Sequence, residues 1–227
     1  MDISSLGIPN IRTTKVGSQR DGVEIVEAVV RLEAWDGYLV KRWEYPTTFW
    51  ENVRAIADGT IVVRFACGRD SSPQDWDTQV AAYHRLLDEQ FDIRDSIVNH
   101  LRENFDTLKE TYYLDPDDDP DVPRITESNK HDFDLRPFIG PQSVSITDHE
   151  EKDGIPYLQW SLNCNWDEEH GLAAVTHGTR VIDLDRGETD IYKVFADNGT
   201  LEQELKEAEK YKNMRGTRKQ KPWWQFW

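Results

Sequence analysis

The chain has 227 residues and a net charge of -16, and its nine Trp, eight Tyr and eight Phe are spread along most of its length, a composition that excludes a disordered protein and suits one large core. The charge is uneven: Lys206 to Trp227 holds seven Lys or Arg and two Glu, which leaves 20 basic and 41 acidic residues before it. An acidic body of this kind argues against nucleic-acid binding and for a partner with a basic protein surface, while also serving solubility.

In chain order, residues 1–20 read as an N-terminal arm. Val23 to Trp35 is β-branched and partly alternating, as a strand is. Asp36-Gly37 then predicts a tight hairpin turn, with Tyr38 to Trp43 returning alongside. Phe49 to Ala57 suits a short helix or a strand equally, and Asp58-Gly59 precedes a further strand, Ile61 to Phe65. Ser72-Pro73-Gln74-Asp75 has the form of a helix start, with Trp76, Val80, Tyr83, Leu87 and Phe91 following at helical spacing. Asp92 is placed to cap a second helix with the stripe Ile93, Ile97, Leu101, Phe105, Leu108 and Tyr112.

The run Asp115 to Asp121 ends that helix and opens an acidic loop extending to about His131. It is a poor calcium loop, because an EF-hand starting at Asp115 needs glycine where Pro120 stands and a carboxylate where Thr126 stands. Strands resume at Ser143–Thr147, Ile155–Cys164, Leu172–Thr176 and Arg180–Leu184, with turns at Asp153-Gly154 and His177-Gly178. Thr200 to Gln203 has the form of a capping box and predicts a last helix of about ten residues. A basic linker, Arg215 to Lys221, leads to Trp223, Trp224, Phe226 and Trp227. The order strands, two helices, strands predicts an α+β fold on antiparallel sheet, with one domain over 21–196 and a C-terminal helix, linker and tail over 197–227.

Cys67 and Cys164 have neither disulfide nor zinc spacing. The chain shows no basic leader and no run of about 18 apolar residues, so no transmembrane segment is expected and the cytoplasm is the expected location. Phosphate-cradling loops and a G-x-S-x-G elbow are absent, and no cofactor is expected.

The strand Ile155–Cys164 leads into Asn165-Trp166-Asp167-Glu168-Glu169-His170-Gly171-Leu172. This segment resembles the W-D-x-E-H-G-L-G pattern of an uncharacterised bacterial domain family with paired helices upstream, from which the chain departs at Ala173. Some members of that family occur in settings that suggest immunity or toxin-neutralising proteins, so the resemblance implies a binding role and supplies no catalytic residue.

The residues themselves allow two readings of the segment. Asp167, Glu168, Glu169 and His170, joined by His149 or His177, carry the groups of a general base or half a metal site, with the metal unknown. In the structural reading, Trp166 anchors the core, Asp167 or Glu168 caps backbone amides and His170 holds a carboxylate. The aromatic tail suits docking on its own body, on a partner or second copy, or at a lipid interface. The expected function is a non-enzymatic, immunity-like interaction domain, with a metal-assisted hydrolase as the alternative. A nucleic-acid mimic is disfavoured by the 20 basic residues interspersed in the body.

Overall fold

The computed structural model describes residues 6–16, 23–39, 41–43, 53–55, 58–66, 73–167 and 169–217. Cys67 and Ser72 lie outside them. A seven-stranded sheet runs in the order β1 (Ile11–Val16), β2 (Val23–Asp36), β5 (Asp58–Phe65), β6 (Ile139–Lys152), β7 (Ile155–Cys164), β8 (Leu172–His177) and β9 (Arg180–Arg186). Every neighbouring pair is antiparallel except β5 and β6, which run parallel. A parallel pair needs a crossover, and α1 (Pro73–Asp88), α2 (Gln90–Tyr112) and the acidic loop supply it.

Tyr38 to Trp43 does not return along β2 as its Asp-Gly turn predicts. β5 occupies that side, with Asp36 opposite Asp58. The chain after Gly37 is instead pinned to the start of β6: the Leu39 amide is within bonding distance of the Arg136 and Ile139 carbonyls, at 2.8 and 3.0 Å. Lys41–Trp43 (β3) then pairs with Val53–Ala55 (β4) in a separate two-stranded sheet. The Asp153-Gly154 turn does close a hairpin, and both residues have the positive φ that a tight two-residue turn requires.

Residues 11–16, expected in an arm, form an edge strand of the main sheet. Their register puts Arg12 opposite Glu27, and the Glu27 carboxylate accepts bonds from Arg12 Nη2 at 2.7 Å and Thr14 Oγ1 at 2.8 Å. α2 begins at Gln90 with Glu89 at its N-cap, rather than at Asp92. Only Glu89 separates the two helices, so Phe91 leaves the buried stripe of α1 and is exposed beneath the Arg94 guanidinium. The remaining stripe residues are buried or packed against the core.

The main core fills one face of the sheet beneath α1 and α2, where Trp35, Trp76, Trp160 and Phe105 are fully buried. Truncating such an aromatic costs about 3–5 kcal/mol. Leu158, Trp160 and Leu162 point into this core, whereas Tyr157, one residue out of phase, joins Val175 and Val194 in a small core on the other face. Val194 belongs to α3 (Ile191–Asn198), a helix the sequence patterns did not predict. The Asp190 side chain caps α3 by accepting from the Tyr192 amide at 2.9 Å, and Gly199 ends it in the left-handed conformation. The last helix, α4 (Leu201–Thr217), is longer than expected and packs on α3.

Candidate functional site at the β7–β8 junction

Cys164 ends β7 and Leu172 begins β8, so Asn165 to Gly171 must reverse the chain over a short distance. The Asn165 amide donates to the Phe138 carbonyl at 2.9 Å, and Trp166 stands edge-on to Phe105 of α2 with ring centres 5.8 Å apart. The Gly171 amide then closes the turn on the Asp167 carbonyl at 2.9 Å. Gly171 has φ +67, and a Cβ there would lie 2.4 Å from the Leu162 carbonyl oxygen, so both backbone conformation and space demand glycine. Ala173 is buried in β8 between Ser161 and Asp185. The close backbone approach in the motif is therefore at Gly171.

The Asp167 carboxylate is only 8% exposed and its oxygens are taken up within the chain. Oδ1 accepts from the His170 amide at 3.0 Å, and Oδ2 accepts from Arg186 Nε. His170 Nδ1 lies 3.1 Å from both Asp167 Oδ1 and Arg186 Nη2. A guanidinium only donates, so this nitrogen either accepts from Arg186 or donates to Asp167. Burial pushes the Asp167 carboxyl up, but the bonds from Arg186 and His170 outweigh it and hold the group below the usual carboxylate range. The same bond raises the Arg186 guanidinium. Arg186 also lies over the Tyr112 ring, 5.3 Å from its centre, while the Tyr112 hydroxyl donates to Asp185. Leu108, Leu114, Trp166 and Leu172 complete a cleft of about 50 Å³ beside the pair, which has room for a few waters.

Asp167 and His170 are thus brought together, and Glu169 is exposed in the same turn. Glu168 lies outside the described residues. His177 sits at the far end of β8, roughly 17 Å along the strand from Leu172 at about 3.3 Å per residue. There its Nε2 is 2.9 Å from the Lys152 carbonyl and its ring is 5.0 Å from that of Tyr157. His149 lies on β6, and its side chain is outside the description. No group of three or more His, Cys, Asp or Glu among the described residues is arranged to hold a metal ion.

Sequence reasoning missed Arg186. The two-residue turn pairing His177 with Arg180 would place Asp185 opposite Leu172, but a bulge at Val175/Thr176 shifts the register by one and brings Arg186 there. The hairpin was readable, whereas the bulge left no residue signal.

A second charged region lies on α2 and the loop after it. From Asp92 to Arg136 there are thirteen carboxylates and six basic residues. Each of the six is engaged by the chain itself: Arg94 by Asp95 and the Ala34 carbonyl, Arg102 by the Phe133 carbonyl, and Lys109, Arg124, Lys130 and Arg136 by Asp106, Asp117, Glu127 and Asp134. Val122, Ile125 and Leu135 bury themselves in the main core and hold the loop down.

The family model described as a domain of unknown function, DUF6985, matches residues 38–191. The chain belongs to the DUF6985 family. No curated protein and no solved structure matches it. The DUF6985 region contains the Asp167 turn, the two helices and the acidic loop, but neither β1 nor β2, although β2 is the direct sheet partner of β5. The Trp223, Trp224, Phe226 and Trp227 tail lies outside both the matched region and the described residues.

Proposed function

We propose that this DUF6985 protein is a non-enzymatic binding domain whose acidic α2 face and following loop engage a basic protein surface, in the manner of an immunity-like inhibitor in a bacterial cytoplasm. The observation that carries the reading is the excess of carboxylates between Asp92 and Arg136, whose cations are already bound within the chain. A field of one sign accelerates encounter with an oppositely charged partner and penalises like-charged ones. The family resemblance adds its immunity setting. The Asp167 turn serves this reading as a clamp, because its carboxylate is neutralised by Arg186 and closes a reversal between two core strands.

The test is recovery of the full chain from its host at low and moderate salt, beside a variant with Asp117, Asp118 and Asp121 changed to Asn. A stoichiometric basic partner, released by moderate salt and weakened in the variant, is the expected result. Salt-indifferent capture, or none at low salt, would overturn it.

One observation favours a second reading, metal-assisted hydrolysis at Glu168, Glu169 and His170. The His170 imidazole is 49% exposed and rests against a buried carboxylate, an arrangement that orients a general base. Stoichiometric zinc or manganese on the full chain, lost in His170→Ala, would favour hydrolysis over binding.

A further inference from the structure

Asp197 stands in the last turn of α3, at the negative end of the helix dipole, where a carboxylate costs the helix stability instead of adding to it. It is held there by groups from three strands. Arg180 of β9 donates from Nη1 at 2.7 Å and from Nη2 at 2.9 Å, the Tyr157 hydroxyl of β7 donates at 2.7 Å, and Lys152 at the end of β6 brings Nζ to 3.4 Å. The bond from Arg180 is the chief cause that holds the Asp197 carboxyl far below the usual carboxylate range. Burial, with Asp197 adding to it, raises the Tyr157 hydroxyl, which therefore stays a donor at ordinary pH.

The donors belong to the sheet and not to α3. Tyr157 is fully buried, with its ring 5.0 Å from that of His177, whose Nε2 lies 2.9 Å from the Lys152 carbonyl. By contrast, α3 places only Val194 fully in the small core. Its first turn is tied separately, with Asp183 accepting from the Asp190 amide at 2.7 Å and from Lys193 Nζ at 2.5 Å, so the end of α3 can leave while its start stays. Asp197 also fills the cradle imperfectly. Its two side-chain oxygens serve Arg180 and Tyr157, and Lys152 finds a closer acceptor, at 2.9 Å, only on the Asp197 backbone carbonyl. A phosphate group has a third oxygen for that ammonium.

We propose that Lys152, Tyr157 and Arg180 form a phosphate-binding cradle that Asp197 occupies as an internal stand-in, so that a phosphate group entering it releases the end of α3. The site is independent of the basic partner, and either can fail alone.

The test is hydrogen exchange of the full chain at constant ionic strength, with chloride replaced stepwise by inorganic phosphate. Amides from Phe195 to Thr200 should exchange about tenfold faster at saturating phosphate while those of α1 and α2 stay unchanged. No change, or an equal change in all the helices, overturns the proposal. Asp197→Ala vacates the cradle, and its melting temperature should rise with phosphate to a plateau, a rise that adding Arg180→Ala removes. Acetate, with two oxygens, should act at least about tenfold more weakly. A variant indifferent to phosphate, a rise that survives Arg180→Ala, or acetate equal to phosphate overturns the proposal as well. Glycerol phosphate acting at lower concentration than inorganic phosphate would place the natural source in an esterified ligand, and the reverse order in free phosphate. Should Asp197→Ala fail to fold, exchange in the wild type decides alone.

Discussion

The β7–β8 turn and the C-terminal end of α2 are both dense in charge, yet the chain treats them oppositely. At the turn, Asp167 is buried, meets Arg186 and the His170 amide, and rests on a glycine that no other residue can replace. At the end of α2, Tyr113 takes the left-handed conformation that glycine usually fills and is 92% exposed, and the acidic loop follows it. The fold supplies a counter-charge to Asp167, whereas carboxylates outnumber cations between Asp92 and Arg136.

That contrast can be broken most forcefully at Gly171. Gly171→Ala forces a Cβ against the Leu162 carbonyl in a left-handed backbone, and a loss of about 3 kcal/mol is expected in denaturant unfolding. Little or no loss would mean that the turn is not held as described. Next, Asp167→Ala leaves Arg186 and the His170 amide without their acceptor and should cost about 2 kcal/mol. The pH profile of that loss sharpens the point. The folded carboxyl sits below its unfolded value of about 3.9, so its contribution is complete above that pH and disappears as pH falls through the folded value. Wild type and Asp167→Asn should therefore converge in stability below about pH 4, and a constant gap down to pH 2 would refute the linkage.

The other region should respond in the opposite sense. Tyr113→Gly removes the side chain from a left-handed helix end and should raise stability by about 1 kcal/mol, readable as a higher melting temperature. A drop would show that the ring makes contacts the fold depends on. The smallest effect on folding is expected from Asp117, Asp118 and Asp121 changed to Asn: within about 0.5 kcal/mol for stability, with a clear fall in the salt dependence of partner binding.

Much of the architecture was legible from local chemistry. The helical stripes of α1 and α2 and the hairpin at Asp153-Gly154 depend on periodicity and turn residues, which act over a few positions. Where the reading failed, distant competition decided. Tyr38 to Trp43 has a sound hairpin signal, but β5 took the place beside β2 and the Leu39 amide was drawn to the start of β6. α3 was missed although Ile191, Val194 and Phe195 stand at spacings of three and four between a capping Asp190 and a terminating Gly199, because eight residues give too short a pattern to stand out. Its attachment comes from Asp183, which holds Lys193 at 2.5 Å, and from Asp197, which takes Arg180 at 2.7 and 2.9 Å and the Tyr157 hydroxyl at 2.7 Å. At the candidate site, the pairing of Asp167 with His170 follows from their separation of three residues, whereas Arg186 depends on a bulge in another strand pair.

By itself the sequence determined the α+β class, the two long helices, the acidic body and the basic aromatic tail, because composition and short-range periodicity act through local backbone preference and net charge. Only the tertiary structure decided that β5 and β6 run parallel, that Asp167 finds Arg186, and that the cations among the α2 carboxylates are already engaged. Those outcomes depend on which of several compatible segments pack best together across long sequence separations, a competition that no local pattern encodes.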